Sequence, residues 1–194
     1  MPLKRKYRKD NIEYELKNFT LPVFHKDEKV AVPVIQSREL HEKVEIPTFC
    51  IKGSYNSDNN RYSYGVCGLL EDGTELRFAE GFYADLEKGE NHIAGEIAGI
   101  KTVIRYSIEH NIKKIIIAYN YKYIEKWCTG DKMPKLEYAK ELKRYYNEIK
   151  DKLSIEFVDY SVKKDHSQNK IADSLSKYAN GLKSGRYEID SINF

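Results

Sequence analysis

Cationic side chains beside an aromatic ring are the most legible chemistry in this chain. Lys122 and Lys126 lie four residues apart and flank Trp127, a spacing that would put two ammonium groups on one helical face. Lys163-Lys164 is a second basic pair, and Lys4-Arg5-Lys6-Tyr7-Arg8-Lys9 runs without an acid until Asp10. Such groups neutralise backbone phosphates, and a neighbouring ring can pack on a sugar or base. Each feature also has a plainer meaning: Trp127 reads as core, and the basic stretch at the start reads as a solvated terminus. Thiol chemistry is not indicated. Three cysteines (Cys50, Cys67 and Cys128) make an odd number without a C-x-x-C pair, so neither a disulfide framework nor a zinc site is expected. Cys50 and Cys67 sit in apolar strand-like runs, where a buried inert thiol is usual.

The elements that position these residues must come from a chain of 194 residues, 41% hydrophobic and 32% charged, enough for one cored domain with an attached arm. A net charge of +3 does not by itself argue for nucleic-acid binding; only its distribution can. No apolar run approaches the ~18 residues of a membrane span, and no apolar stretch follows the basic start as in a signal peptide. A cytoplasmic protein with no membrane partner is the expectation. Residues 1–44, with Pro22, Pro33 and short apolar pieces, read as an arm that packs partly on the main domain. Residues 45–180 read as the domain, and 181–194 as a C-terminal tail.

Within the domain, residues 46–51, 62–70 and 76–83 read as three strands, with Asp72-Gly73 as a hairpin turn between the last two. The period then changes. Ile93, Ile97, Ile100, Ile104 and Ile108 recur at helical spacing, and Asn111 marks a stop. Ile115-Ile116-Ile117-Ala118-Tyr119 reads as a strand buried on both faces. A short helix over 123–127, a longer one over 136–152 with Leu142, Tyr145, Tyr146 and Ile149 on its apolar stripe, a strand over 155–160 and a helix over 169–180 complete the order β-β-β-α-β-α-α-β-α. A meander followed by βαβ crossovers predicts an α/β fold: a mixed five-stranded sheet flanked by helices.

That order resembles the ribonuclease H family, and local sequence supports the likeness. Ile51-Lys52-Gly53-Ser54-Tyr55-Asn56 is similar to the family's Asp-Gly-Ser turn after the first strand, and Ser63-Tyr64-Gly65-Val66 to its second strand. Ala94-Gly95-Glu96 opens the first helix where the family carries its catalytic glutamate. The segment from Tyr119 and Asn120 to Trp127 is similar to the exit of the fourth strand. His166 with Asn169-Lys170-Ile171-Ala172-Asp173 is similar to the last loop and helix. The resemblance spans about residues 45–180 and is nearest to bacterial type 1 ribonuclease H domains; the arm matches nothing in it.

The resemblance implies an enzyme that cuts the RNA strand of an RNA–DNA hybrid with two divalent metals ~3.5–4 Å apart, held by four carboxylates. At those positions this chain has Lys52, Glu96, Asn120 and Asp173. Asn120 keeps a carbonyl oxygen but no charge. Lys52 brings an ammonium, with donors and no acceptor, to the place of the acid that bridges both metals. Its charge would attract Glu96 and Asp173 in place of metal, although a lysine stem is also long enough to bend into solvent. Asp58, the nearest acid that a slipped alignment would use, lies in a polar turn. The loop from His166 to Asn169 is shorter than in much of the family, and Asn169 could simply cap the last helix. His92 stands where many relatives carry a substrate-contacting asparagine, or is a solvated loop residue.

The expectation is therefore a vestigial site (Lys52, Glu96, Asn120, Asp173 and the His166 loop) that holds no metal and cuts nothing. Nucleic-acid contacts are expected from Gly53, Ser54, His92, Lys122, Lys126, Lys163 and Lys164. Two alternatives stand beside binding without cleavage. One is a protein-interaction or homodimeric module, suggested by the modest charge and sixteen tyrosines. The other is a residual nuclease using Glu96 and Asp173 with Mg²⁺ or Mn²⁺.

Overall fold

The computed structural model describes residues 8–9, 12–13, 36–39, 43–83, 91–160 and 167–181. Two short strands, β1 (Arg8–Lys9) and β2 (Ile12–Glu13), pair with each other, and β3 (Gln36–Glu39) joins the main sheet. The domain follows as β4 (Thr48–Asn56), β5 (Arg61–Leu69), β6 (Thr74–Tyr83), α1 (Asn91–Glu109), β7 (Lys114–Tyr119), α2 (Ile124–Thr129), α3 (Glu137–Ile149), β8 (Ser154–Asp159) and α4 (Ser167–Ala179). β4, β5 and β6 form the antiparallel meander, while β7 runs parallel to β4 and β8 parallel to β7. This is the mixed five-stranded sheet expected from the pattern. The sheet is in fact six-stranded, because β3 pairs antiparallel with β6 at the edge, Gln36 opposite Arg77 and Glu39 opposite Thr74. Four residues without alternation or strong β-formers gave no strand signal in sequence.

α1 covers one face of the sheet. Ile93, Ile97, Ile100 and Ile104 are each 0% exposed, as the helical spacing required, whereas Ile108 is only partly buried. Each such side chain contributes roughly 1.5–3 kcal/mol of transfer free energy. The turn after α1 holds Asn111, whose φ of 57° is the left-handed conformation that asparagine tolerates better than most residues. α4 lies on the other face, where Ala172 packs with Cys50, Cys67 and Ala118. The three cysteines are free and buried, and burial pushes Cys50 and Cys128 up to about 12, as suits inert thiols. α3 packs on α1 and α2.

Both helices approach the sheet with no side chain between. A Cβ on Gly95 would fall 2.0 Å from the Ser63 carbonyl oxygen, and one on Gly53 2.0 Å from that of His92. On the opposite face a Cβ on Gly65 would lie 2.1 Å from the Ala172 carbonyl oxygen. Backbone-to-backbone contact thus brings the first turn of α1 and the middle of α4 onto β4 and β5. A polar network pins the same helix further along: Thr102 Oγ1 donates to Tyr64 Oη at 3.2 Å, which donates to Glu80 Oε2 at 3.0 Å.

Because the gap at Gly95 has no room for a methyl group, Gly95→Ala is expected to lift α1 from β5 and cost roughly 1–3 kcal/mol of unfolding free energy. Chemical denaturation measures it. A variant as stable as the parent would mean that this contact does not set the helix position.

Candidate functional site

The C-terminal ends of β4 and β7 meet because these strands run parallel, with Cys50 opposite Ala118. Two residues further on, Lys52 and Asn120 lie side by side, and Lys52 Nζ donates to Asn120 Oδ1 at 2.8 Å. Glu96, brought in by the second turn of α1, is 2% exposed. Its Oε1 accepts the backbone N–H of Asn120 and, at 3.3 Å, that of Tyr121. Asp173 comes from α4, where Lys177 Nζ donates to its Oδ2 at 2.7 Å one helical turn away. All four positions singled out by the resemblance therefore converge, on four separate elements.

Glu96 and Asp173 favour the Lys52 ammonium through space, as expected, and its direct contact is with Asn120. No ion-pair contact joins Lys52 to Glu96 or Asp173 among the described residues. Glu96 is satisfied by loop amides inside the helix–sheet contact, and Asp173 has a closer cation on its own helix. Lys52 is half-buried and turned inward rather than into solvent, and its direct partner is the neutral Asn120 amide. Burial pulls its ammonium below the usual lysine range, against the opposing fields of Glu96 and Asp173. Burial likewise pushes the Glu96 carboxyl up to about 7, against the pull of the two amides and Lys52.

A metal pair does not suit this donor set. Among the described residues no three His, Cys, Asp or Glu side chains gather as a metal cluster. The Asn120 carbonyl faces an ammonium, and the Asp173 carboxylate is shared with Lys177.

The other sequence candidates are dispersed. Gly53 and Ser54 are not in a turn, because β4 continues to Asn56 paired with Arg61. Gly53 serves the α1 contact, and Ser54 Oγ accepts Asn180 Nδ2 at 2.9 Å, tying the hairpin to the end of α4. Asp58 lies in the exposed turn of that hairpin. His92 is exposed in the first turn of α1, its carbonyl against Gly53. Lys122 and Lys126 are both exposed, but they do not share a helical face, since α2 begins at Ile124 with Tyr123 as its N-cap. Trp127 is core, 4% exposed. Asn169 is inside α4 and is not its cap, because the helix begins two residues earlier. His166, Lys163 and Lys164 lie outside the described residues.

Sequence reasoning missed Lys177 and Lys132. The first was visible as a cation four residues after Asp173 on a predicted helix. The second had no signal: it follows α2 in sequence, yet its ammonium lies 3.2 Å from the centroid of the Tyr123 ring, with Lys122 at 4.9 Å. These two lysines hold the phenol of the partly buried Tyr123 below its usual range, Lys132 more strongly.

No family model matches the sequence, and no curated protein matches it. Solved structures do. Ribonuclease H1 from the halophilic archaeon Halobacterium salinarum superposes with a TM-score of 0.53 at 14% identity, covering 69% of this chain and 96% of that one. LC11-RNase H1, isolated from compost by a metagenomic approach, gives 0.53 at 14% identity over 70% and 99%. The same LC11 enzyme in complex with an RNA/DNA hybrid gives 0.51 at 15% identity over 69% and 98%. The protein has the ribonuclease H-like α/β fold, and it spans nearly the whole of these single-domain neighbours.

Burial of Glu96 has a consequence for stability. Its carboxyl titrates near 7 when folded but near its ordinary 4.5 when unfolded, so the folded state holds the proton more tightly. Its favourable contribution is complete below pH 4.5 and is lost as pH rises through 7. The difference between the two values corresponds to roughly 3 kcal/mol. Between about pH 4 and about pH 8, the parent is expected to lose about that much more stability than Glu96→Gln. Parallel pH dependences in denaturation would contradict it.

Proposed function

We propose that this chain binds RNA–DNA hybrid or double-stranded nucleic acid without cleaving it and without a divalent cation. The observation that carries this reading is the Lys52–Asn120 hydrogen bond, an ammonium and an amide at two of the four positions where the ribonuclease H resemblance implies metal-holding carboxylates. Two-metal hydrolysis stabilises the attacking and leaving oxygens together, and it needs bridging anionic ligands to hold both ions. The only carboxylates of the set are Glu96, buried and amide-bonded, and Asp173, paired with Lys177. Affinity has no such requirement, because phosphate contacts by cations supply most of it.

The fold adds support, since a neighbour with the same architecture is seen on an RNA/DNA hybrid. Exposed Lys122 and Lys126, next to Asn120 in sequence, give further cationic surface beside the site. Gly53, Ser54 and His92 contribute backbone shape around the same strand end.

A labelled RNA–DNA hybrid tests this directly. Binding is expected in EDTA and is expected to weaken steeply with added salt, with no product on incubation with Mg²⁺ or Mn²⁺. Metal-dependent cleavage by the unaltered protein, abolished by Glu96→Ala, would overturn the reading in favour of a working nuclease. Loss of all hybrid and duplex binding at low salt would overturn it in favour of a protein-directed module. The double reversion Lys52→Asp with Asn120→Asp is expected to create calorimetrically detectable Mg²⁺ binding that the parent lacks.

A further inference from the structure

We infer that the Lys52 ammonium and the Asn120 amide together form a direct receptor for one backbone phosphate of the bound nucleic acid, standing where metal ions would otherwise meet it. The inference rests on the hybrid-binding reading above and deepens it by naming the contact.

The argument begins with what Lys52 does not do. Its charge is not used up in a contact ion pair, because each nearby carboxylate has another partner: Glu96 the amides of Asn120 and Tyr121, Asp173 the Lys177 ammonium. An ammonium has three donors, and one is engaged, with Asn120 Oδ1 at 2.8 Å. That bond also orients the amide. With Oδ1 turned to Lys52, the Asn120 Nδ2 group faces away, and no acceptor meets it among the described residues. Asn120 is exposed and Lys52 half-buried, so these donors open outward at one strand end.

Two adjacent donor groups, one charged, are a receptor for an anion with two neighbouring oxygens. The non-bridging oxygens of a phosphodiester fit that description, and a charge-assisted bond in a partly buried setting is stronger than one on open surface. Lys177, paired with Asp173, is a second cation close enough to Lys52 to repel it. The two ammonium groups offset the two acids, and the unused Lys52 and Asn120 donors are what an incoming strand meets. A groove built to hold metals presents carboxylates there, and repels the same strand until the metals bind.

The test is a salt titration of hybrid binding in EDTA, comparing the parent with Lys52→Gln, Lys52→Arg and Lys150→Gln. Lys150 is an exposed lysine just before β8, at the end of the parallel strands β7 and β8 opposite to the site. Lys52→Gln is expected to bind ~10-fold more weakly at low salt, the loss of one charged hydrogen bond. Its log–log salt slope is expected to fall by ~0.9, one phosphate fewer. Lys52→Arg is expected to keep the slope, and Lys150→Gln to change neither quantity. Acetylation of the unaltered protein followed by mass spectrometry adds a readout that needs no variant: the hybrid is expected to protect Lys52 but not Lys150. Binding by the parent with an unchanged slope in Lys52→Gln and no protection of Lys52 would overturn this inference while leaving hybrid binding in place. Failure of the parent to bind would overturn the reading on which it rests.

Discussion

An ammonium held at the junction of two parallel strands is the constraint around which the rest of this site is arranged. A charge in a partly desolvated position must be met by oriented dipoles or by counter-charge, or the group neutralises. Here the answer is mixed: one amide oxygen in contact, two carboxylates acting through space. The carboxylates in turn need partners of their own, which the loop after β7 and the next turn of α4 provide. The lysine at this position is therefore not an isolated feature. It goes with an asparagine that accepts from the ammonium, a glutamate turned toward backbone amides, and a second lysine one turn from Asp173.

The scaffold beneath the site is unforgiving. Glu96 reaches the strand ends because Gly95 and Gly53 let α1 rest directly on the sheet, and Asp173 because Gly65 does the same for α4. Close backbone approach on both faces places two carboxylates and an ammonium from three elements around one point. It also explains why fold and chemistry can part company: the glycines, the isoleucine face of α1 and the alanine–cysteine layer under α4 need no metal to pack. The likeness to ribonuclease H structures at 14–15% identity is one of fold, and function has to be read from the site itself.

Much of this was legible in the sequence. Period-four isoleucines gave α1, the uninterrupted run at 115–119 gave the central parallel strand, and Asn111 marked the helix stop that its left-handed backbone confirms. The convergence of positions 52, 96, 120 and 173 was legible only through the resemblance, since nothing in their spacing brings them together. Boundaries failed where local signals misled. Gly53-Ser54 carries turn chemistry, yet cross-strand pairing extends β4 to Asn56. β3 has no hydrophobic alternation and exists by adding to an open sheet edge, a tertiary event. The counter-charge role expected between Lys52 and the two carboxylates acts through space, and direct contact goes to Asn120, because each carboxylate accepts from another donor.

Interaction through space rather than in contact bears on how such a site works. Had Lys52 formed contact pairs with Glu96 and Asp173, the cluster would be internally neutralised and inert toward an anionic strand. Desolvating a phosphate against it would then gain little. With each carboxylate bonded to another donor, the ammonium instead keeps field and hydrogen-bonding capacity toward solvent, and the nearest counter-charges serve to hold it charged despite burial. The two surviving acids thus have a physical use apart from metal binding: one positions the loop that carries Asn120, the other offsets two cations across the strand end. Removing either would disturb the ammonium before it disturbed any metal.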